Sequence, residues 1–82
     1  MSDIKNEHID HILDTKGLYC PEPVMMMHNL VRDVDDKAII KVIATDPSTQ
    51  RDIPKFCQFL GHDLISQSSE NDEFIYMIQI NK

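Results

Sequence analysis

Pro21 and Pro23 fix where the first helix of this chain can begin. Neither residue has a backbone N–H, so neither fits a helix interior, yet both suit a first turn, where N–H groups lack partners anyway. Behind them Val24-Met25-Met26-Met27-His28-Asn29-Leu30-Val31-Arg32-Asp33-Val34 runs without Gly or Pro. The spacing predicts a helix from about Pro21 to Val34. Val24, Met27, Val31 and Val34, with Leu30 beside them, form a stripe that should face a sheet. Glu22 falls in the first turn, where a negative charge suits the helix dipole. Ahead of the prolines, Thr15–Tyr19 reads as a loop in which Gly17 is free to take a positive φ.

Cys20 therefore stands at or just before a helix start. A thiol there faces unpaired N–H donors and the positive end of the dipole, which favours the nucleophilic thiolate. The expectation is a thiol that titrates below the ordinary value of about 8.5, by roughly a unit or less.

The rest of the chain alternates. His8–Asp14 reads as a short strand, and Ala38-Ile39-Ile40-Lys41-Val42-Ile43-Ala44 as a central one, β-branched and nearly continuous. Asp35-Asp36 marks the turn between the first helix and that strand. After Thr45-Asp46-Pro47-Ser48, Asp46 is a candidate cap and Pro47 a candidate first helical residue. Pro54 would kink a helix started at Ser48, so a tight turn over 47–51 and a helix from Ile53 to Leu60, capped by Asp52, is the preferred reading. Ile53, Phe56, Phe59 and Leu60 supply its apolar face, and Gly61 is its stop. His62–Gln67 and Glu73–Ile80 read as two closing strands joined by a hairpin loop over Ser68–Asp72. The order strand, helix, strand, helix, strand, strand predicts a two-layer α/β sandwich, a four-stranded mixed sheet with both helices on one face.

At 82 residues the chain has room for one domain, residues 1–82, with a polar and flexible N-terminus over about 1–8. Hydrophobic residues make up 41% and charged residues 27% of the sequence, the balance of a globular chain. No apolar run approaches a membrane span and residues 1–8 lack a signal-peptide layout, which points to the cytoplasm. Fourteen acidic against eight basic residues give a net charge of −6. Without a basic run, direct tight binding of nucleic acid is disfavoured; the acidity serves solubility or docking to a basic partner.

Cys20 and Cys57 lie 37 positions apart, a separation that fits neither a disulfide framework nor a usual zinc site. Cys57, between Phe56 and Phe59, reads as a buried structural thiol; a redox pair with Cys20 has no local cue. His8, His11, His28 and His62 are scattered, so a metal site is not expected. Asp46, Arg51 and Asp52 read first as helix-start residues with a surface ion pair. The alternative gathers helix starts at one sheet edge, where Arg51 would stand near Cys20 and hold an anionic persulfide. Met25 and Met26 cannot both face inward beside Met27; exposed thioethers next to the thiol would make an adaptable apolar patch for partners.

Leu13-Asp14-x-x-Gly17-x-x-Cys20-Pro21-Glu22-Pro23-Val24-Met25-Met26, followed by Asp46-Pro47-x-x-x-Arg51-Asp52-Ile53-Pro54-x-Phe56-Cys57, resembles the TusA (SirA-like) sulfur-carrier family, from about residue 9 to 80. The resemblance implies a small sulfurtransferase without a cofactor. Cys20 would be the catalytic residue, with Pro21, Glu22, Pro23, Asp46 and Arg51 in support and Met25 and Met26 meeting partners. The family's signature cysteine accepts sulfur as a persulfide from a cysteine desulfurase and passes it to a protein relay that serves 2-thiolation of the wobble uridine in tRNA. A monomer is expected in isolation. Two positions depart from the family pattern: Tyr19, where an arginine commonly precedes the cysteine, and Asp36, where a glycine is frequent. The rival readings are a non-catalytic docking module and a thiol redox protein that uses Cys20 and Cys57.

Overall fold

A computed structural model describes residues 9–82, so His8 and the polar segment before it lie outside the described residues. Six elements follow the expected order: β1 (His11–Thr15), α1 (Glu22–Asp33), β2 (Ile39–Ala44), α2 (Thr49–Leu60), β3 (Asp63–Glu70) and β4 (Glu73–Gln79). They form a four-stranded mixed sheet in the order β1-β2-β4-β3. β1 runs parallel to β2 from His11↔Ile40 to Thr15↔Ala44, while β4 lies antiparallel to both β2 and β3. The two-layer α/β sandwich expected from the element order is the fold observed.

β2 is central, and its alternation decides which face is covered. Ile40, Val42 and Ala44 are buried with Tyr76, Ile78 and Ile80 around β4, and Met27 of α1 and Ile53, Phe56 and Cys57 of α2 pack on them. Val24, Leu30 and Val31 join at the edge of this core, and Val34 is inside it, so the helical stripe faces the sheet as its spacing requires. The opposite face of the sheet carries Ile12, Ile39, Lys41 and Ile43, half-buried or exposed.

Three boundaries differ most from the sequence reading. β1 begins only at His11 and takes in Thr15, which the pattern placed in the loop, because Thr15 pairs with Ala44 of β2. α2 starts at Thr49, four residues before Ile53, and runs through Pro54 with Ser48 rather than Asp52 at its cap position. Pro54 withdraws one backbone donor, but the first turn is fixed from outside. Asp46 accepts the Ser48 N–H at 3.1 Å and the Ser48 hydroxyl at 2.8 Å. The N–H groups of Thr49, Gln50 and Arg51 then donate to the carbonyls of Asp46, Pro47 and Ser48 at 3.0–3.1 Å, the tight pattern of a helix start. The hairpin is also tighter than expected. β3 reaches Glu70, and only Asn71 and Asp72 turn the chain. Asn71 has φ 53 and Asp72 φ 66, the positive values that a type I′ turn requires. Gly61 ends α2 in the left-handed conformation, as its position suggests.

Candidate functional site

Because β1 and β2 are parallel, their carboxyl ends emerge side by side, the edge at which sites form in α/β sheets. Three hydrogen bonds bind the two outgoing loops together. The buried Thr15 hydroxyl donates to the Ile43 carbonyl at 2.8 Å, the Gly17 N–H to the Thr45 hydroxyl at 2.9 Å, and the Cys20 N–H to the Asp46 carboxylate at 2.7 Å. Gly17 holds φ +82, so the loop needs glycine there for its backbone alone. The Cys20 N–H, then the Ser48 N–H and hydroxyl, hold the Asp46 carboxyl below the usual carboxylate range. Asp46 thus braces the turn ahead of α2 and also fixes the backbone beside the thiol.

Cys20 is exposed at the joint between the β1 loop and α1. Its thiol is held above its ordinary value, opposite to the expectation drawn from the helix start. A hydrogen bond to the Asp52 carboxylate is the largest cause. Partial desolvation and the charges of Asp52 and Asp46 add to it, and the Ser48 hydroxyl works the other way. The helix start has little to oppose them with. Pro21 and Pro23 have no N–H, the Glu22 N–H donates to the Tyr19 carbonyl at 2.8 Å, and the Cys20 N–H is taken by Asp46. The prolines that locate the thiol at the helix start also strip that start of donors.

From Cys20 an apolar groove of about 530 Å³ runs between the helices, past Pro21, Val24 and His28 of α1 and Asp52, Lys55, Phe56, Phe59 and Leu60 of α2. The sequence pattern puts Phe59 and Leu60 on the buried face of α2; Phe59 is instead 87% exposed and Leu60 is exposed, because the last turn leaves the core and walls the groove. Phe56 joins the two settings: it is buried, and the His28 ring meets its edge at 4.8 Å. His28, Lys55, Phe59 and Leu60 are groove residues that the sequence does not mark as such. The spacing of Phe56, Phe59 and Leu60 signals an apolar face, and only the packing of α1 on α2 shows which part of it stays open.

The other named residues fall as follows. Arg51 is exposed and its Nε lies 3.4 Å from an Asp52 oxygen, so it reaches the thiol through Asp52 rather than directly. Glu22 is exposed on the first turn of α1 and Pro23 is buried beneath it. Met25 is 56% exposed and Met26 half-buried, and neither lines the groove. Cys57 is 2% exposed in the core, and burial pushes its thiol up to about 11. Among the described residues no three His, Cys, Asp or Glu side chains gather closely enough to hold a metal, and no helix is long and apolar enough to cross a membrane.

Fold and site together define a two-layer α/β sandwich that carries one exposed thiol at a Pro-rich helix start. Residues 11–80 match the family described as "Sulfurtransferase TusA". A "Sulfur carrier protein TusA" from Pseudomonas aeruginosa is 61% identical over 71 residues, 87% of this chain and 90% of that protein. One of the same description from Pseudomonas savastanoi pv. phaseolicola is 55% identical over 76 residues, 93% and 90% of the two chains. The crystal structure of a SirA-like protein from Desulfitobacterium hafniense superposes with a TM-score of 0.76 at 15% identity, covering 88% of this chain and 99% of that one, which shows the shared fold. The chain belongs to the TusA family.

Proposed function

We propose that this chain is a cytoplasmic sulfur carrier that accepts sulfane sulfur on Cys20 from a cysteine desulfurase. It hands that sulfur to a protein relay that serves 2-thiolation of the wobble uridine in tRNA. The observation that carries this reading is the placement of one thiol, exposed at the rim of an apolar groove, while the other is sealed in the core. Membership of a family whose relatives are called sulfur carriers supports it.

Loading is an exchange like thiol–disulfide exchange. The Cys20 sulfur gives up its proton and attacks the terminal sulfur of the donor's persulfide. The donor's S–S bond breaks, its cysteine leaves as a thiolate, and the new S–S bond is on Cys20. Delivery repeats the step with an acceptor thiolate attacking the terminal sulfur and Cys20 leaving. No oxidant is consumed, because sulfane sulfur changes hands at constant oxidation state. Asp46 and Pro21 and Pro23 fix the thiol at the loop tip, and Glu22, Asp52 and the net charge of −6 favour partners that present basic groups. The groove between Val24 and Phe59 offers the apolar contact, with Met25 and Met26 as a second surface on the adjoining face of α1.

The deciding experiment is the intact mass after incubation with a desulfurase and cysteine, followed by peptide mapping. The expected result is one added sulfur on the peptide holding Cys20. Sulfur on the peptide holding Cys57, or a loss of two hydrogens as an internal disulfide forms, would refute the reading. Changing Phe59, Met25 and Met26 separately to serine then locates docking. Buried apolar area is worth about 25 cal/mol per Å², so removing one well-packed side chain should weaken desulfurase binding by roughly 1–2 kcal/mol.

A further inference from the structure

Beneath the loop that holds Asp46 lie two hydroxyls that the groove does not account for. Thr49, the first residue of α2, is 1% exposed, and Tyr76 of β4 is fully buried. Tyr76 pairs with Val42 of β2 and Gln67 of β3, so it stands in the middle of the sheet and packs into the core that the helices cover. Its hydroxyl lies 2.9 Å from the Thr49 hydroxyl, which in turn donates to the Asp46 carbonyl at 2.7 Å. Counting protons fixes the direction of this chain. A carbonyl only accepts, and a threonine hydroxyl has one proton to give. Thr49 gives that proton to Asp46, so Tyr76 is the donor of the other bond.

The far end of the chain is at the thiol. The Asp46 carbonyl takes the Thr49 N–H at 3.0 Å as well as the Thr49 hydroxyl, so the peptide leaving Asp46 is held from inside. On the outer side the Asp46 carboxylate accepts the Ser48 N–H and hydroxyl and, at 2.7 Å, the Cys20 N–H. Pro47 follows with its φ fixed by the ring, which leaves the carboxylate little freedom once the carbonyl is held. Asp46 thus stands between the core and the thiol. A buried hydroxyl pair that served stability alone could close anywhere in the core; this one closes on the residue that holds the Cys20 backbone.

Resting on the sulfur-carrier reading above, we propose that Thr49 and Tyr76 are positioning residues for sulfur transfer. The relay from Tyr76 through Thr49 to Asp46 fixes the Cys20 backbone from within the core, and so sets where the thiol stands at the mouth of the groove. Neither residue touches the sulfur. A donor seated in the groove presents its terminal sulfur at one place, and the thiol must meet it there in line with the bond that breaks. A loop free to shift would still react with a small persulfide that arrives from any direction, but it would meet a docked one less often. The relay therefore serves transfer between proteins and leaves the intrinsic chemistry of Cys20 as it is.

The test compares the full wild-type chain with three variants. Thr49→Val keeps the branched shape without the hydroxyl, Thr49→Ser keeps the hydroxyl, and Tyr76→Phe removes only the phenol oxygen. Amide hydrogen exchange is read by NMR at Cys20 and at Val42 of the central strand, whose change reports opening of the whole fold. Thr49→Val should speed exchange at Cys20 about three- to tenfold beyond any change at Val42, as suits the loss of one ordinary hydrogen bond. Its saturating rate of loading from a desulfurase and cysteine should fall by a similar factor. The half-saturating desulfurase concentration and the rate of loading by glutathione persulfide should stay unchanged. Tyr76→Phe should shift both readouts in the same sense by a smaller factor, and Thr49→Ser should follow wild type. If the wild-type chain takes up no sulfur from either source, the carrier reading itself has failed; amide exchange, which needs no sulfur, still decides whether the pair holds the loop. Exchange at Cys20 that only tracks Val42 overturns the proposal, and so does wild-type desulfurase loading in a chain whose Cys20 amide has loosened. A Thr49→Ser chain that behaves like Thr49→Val overturns it as well. Should Thr49→Val fail to fold, Tyr76→Phe decides by the same two readouts.

Discussion

The two cysteines show how much a setting decides. Cys20 and Cys57 carry the same group, and both thiols are pushed upward, but for unlike reasons. At Cys20 the leading cause is a neighbouring carboxylate at an open groove. At Cys57 it is burial among Ile53, Phe56 and the sheet. A thiol restrained by a charge can be released when a partner's basic group engages that charge. A thiol restrained by burial is released only when the protein opens. The first is adjustable by docking and the second is a filler of space.

The largest effect that can break this contrast is on loading. Cys20→Ser should take up no sulfur from a desulfurase and cysteine, whereas Cys57→Ser should load at the wild-type rate at a temperature where both are folded; intact mass decides. Stability should divide the other way. A hydroxyl at position 57 has no partner among the apolar side chains around it, so Cys57→Ser should lose about 1–3 kcal/mol in urea unfolding. A Cys57→Ser chain as stable as wild type would mean that the pocket around it is looser than the packing indicates.

Acid should sharpen the contrast. His62 is buried against Phe56, its backbone N–H donates to the Cys57 carbonyl at 2.8 Å, and its Nδ1 accepts the Asn81 N–H at 3.0 Å. Burial lowers the His62 imidazole from its ordinary value, so the unfolded chain binds a proton more readily than the folded one. The stability this neutral ring contributes is whole above the ordinary histidine value of about 6.5 and is lost as pH falls through it toward the lowered value. Alkylation of Cys57, corrected for thiolate fraction, should therefore speed up from about pH 7 to about pH 5. His62→Gln should flatten that rise. Asp46, its carboxyl held low, contributes in a separate window, from about pH 4 downward.

The smallest effect comes from the turn before β2. Lys37 holds φ 72, a left-handed conformation that a side chain disfavours. It keeps hydrogen bonds to the Ile80 carbonyl and to Asn81. Lys37→Gly should raise stability by about 0.5–1 kcal/mol. Labelling of Cys57 by way of the opened chain should slow about two- to fivefold, with that of Cys20 unchanged. A change at Cys20 instead would show that its reactivity also depends on opening.

What the sequence made legible follows from the range of its signals. The helix behind Pro21 and Pro23, the β-branched run of β2 and the stop at Gly61 are local patterns, and each element formed where the pattern lay. Pro54 misled, because its local cost is real, while the Asp46 carboxylate that anchors the turn ahead of it acts through hydrogen bonds no propensity contains. Asn71 and Asp72 made a two-residue turn where a five-residue loop was expected, since both tolerate the left-handed region. The charge at the thiol was least legible. Asp52 is remote from Cys20 in sequence and meets it only when α2 docks beside α1. The helix-start argument, sound for N–H groups in general, failed on prolines that have none.

The bond from the Cys20 N–H to Asp46 joins residues 26 apart, and that from Gly17 to Thr45 joins residues 28 apart. Such pairings close only after the intervening chain has been ordered, so they belong to the slower part of folding. During synthesis Cys20 emerges well before the residues that will surround it. Until β2 is laid beside β1 and the turn at Asp46 is closed, it is a thiol on a slack strand with no groove to present. The bonds that shape the site therefore form with the fold and not before it: a nascent or heat-damaged chain has the cysteine but lacks the groove beside it.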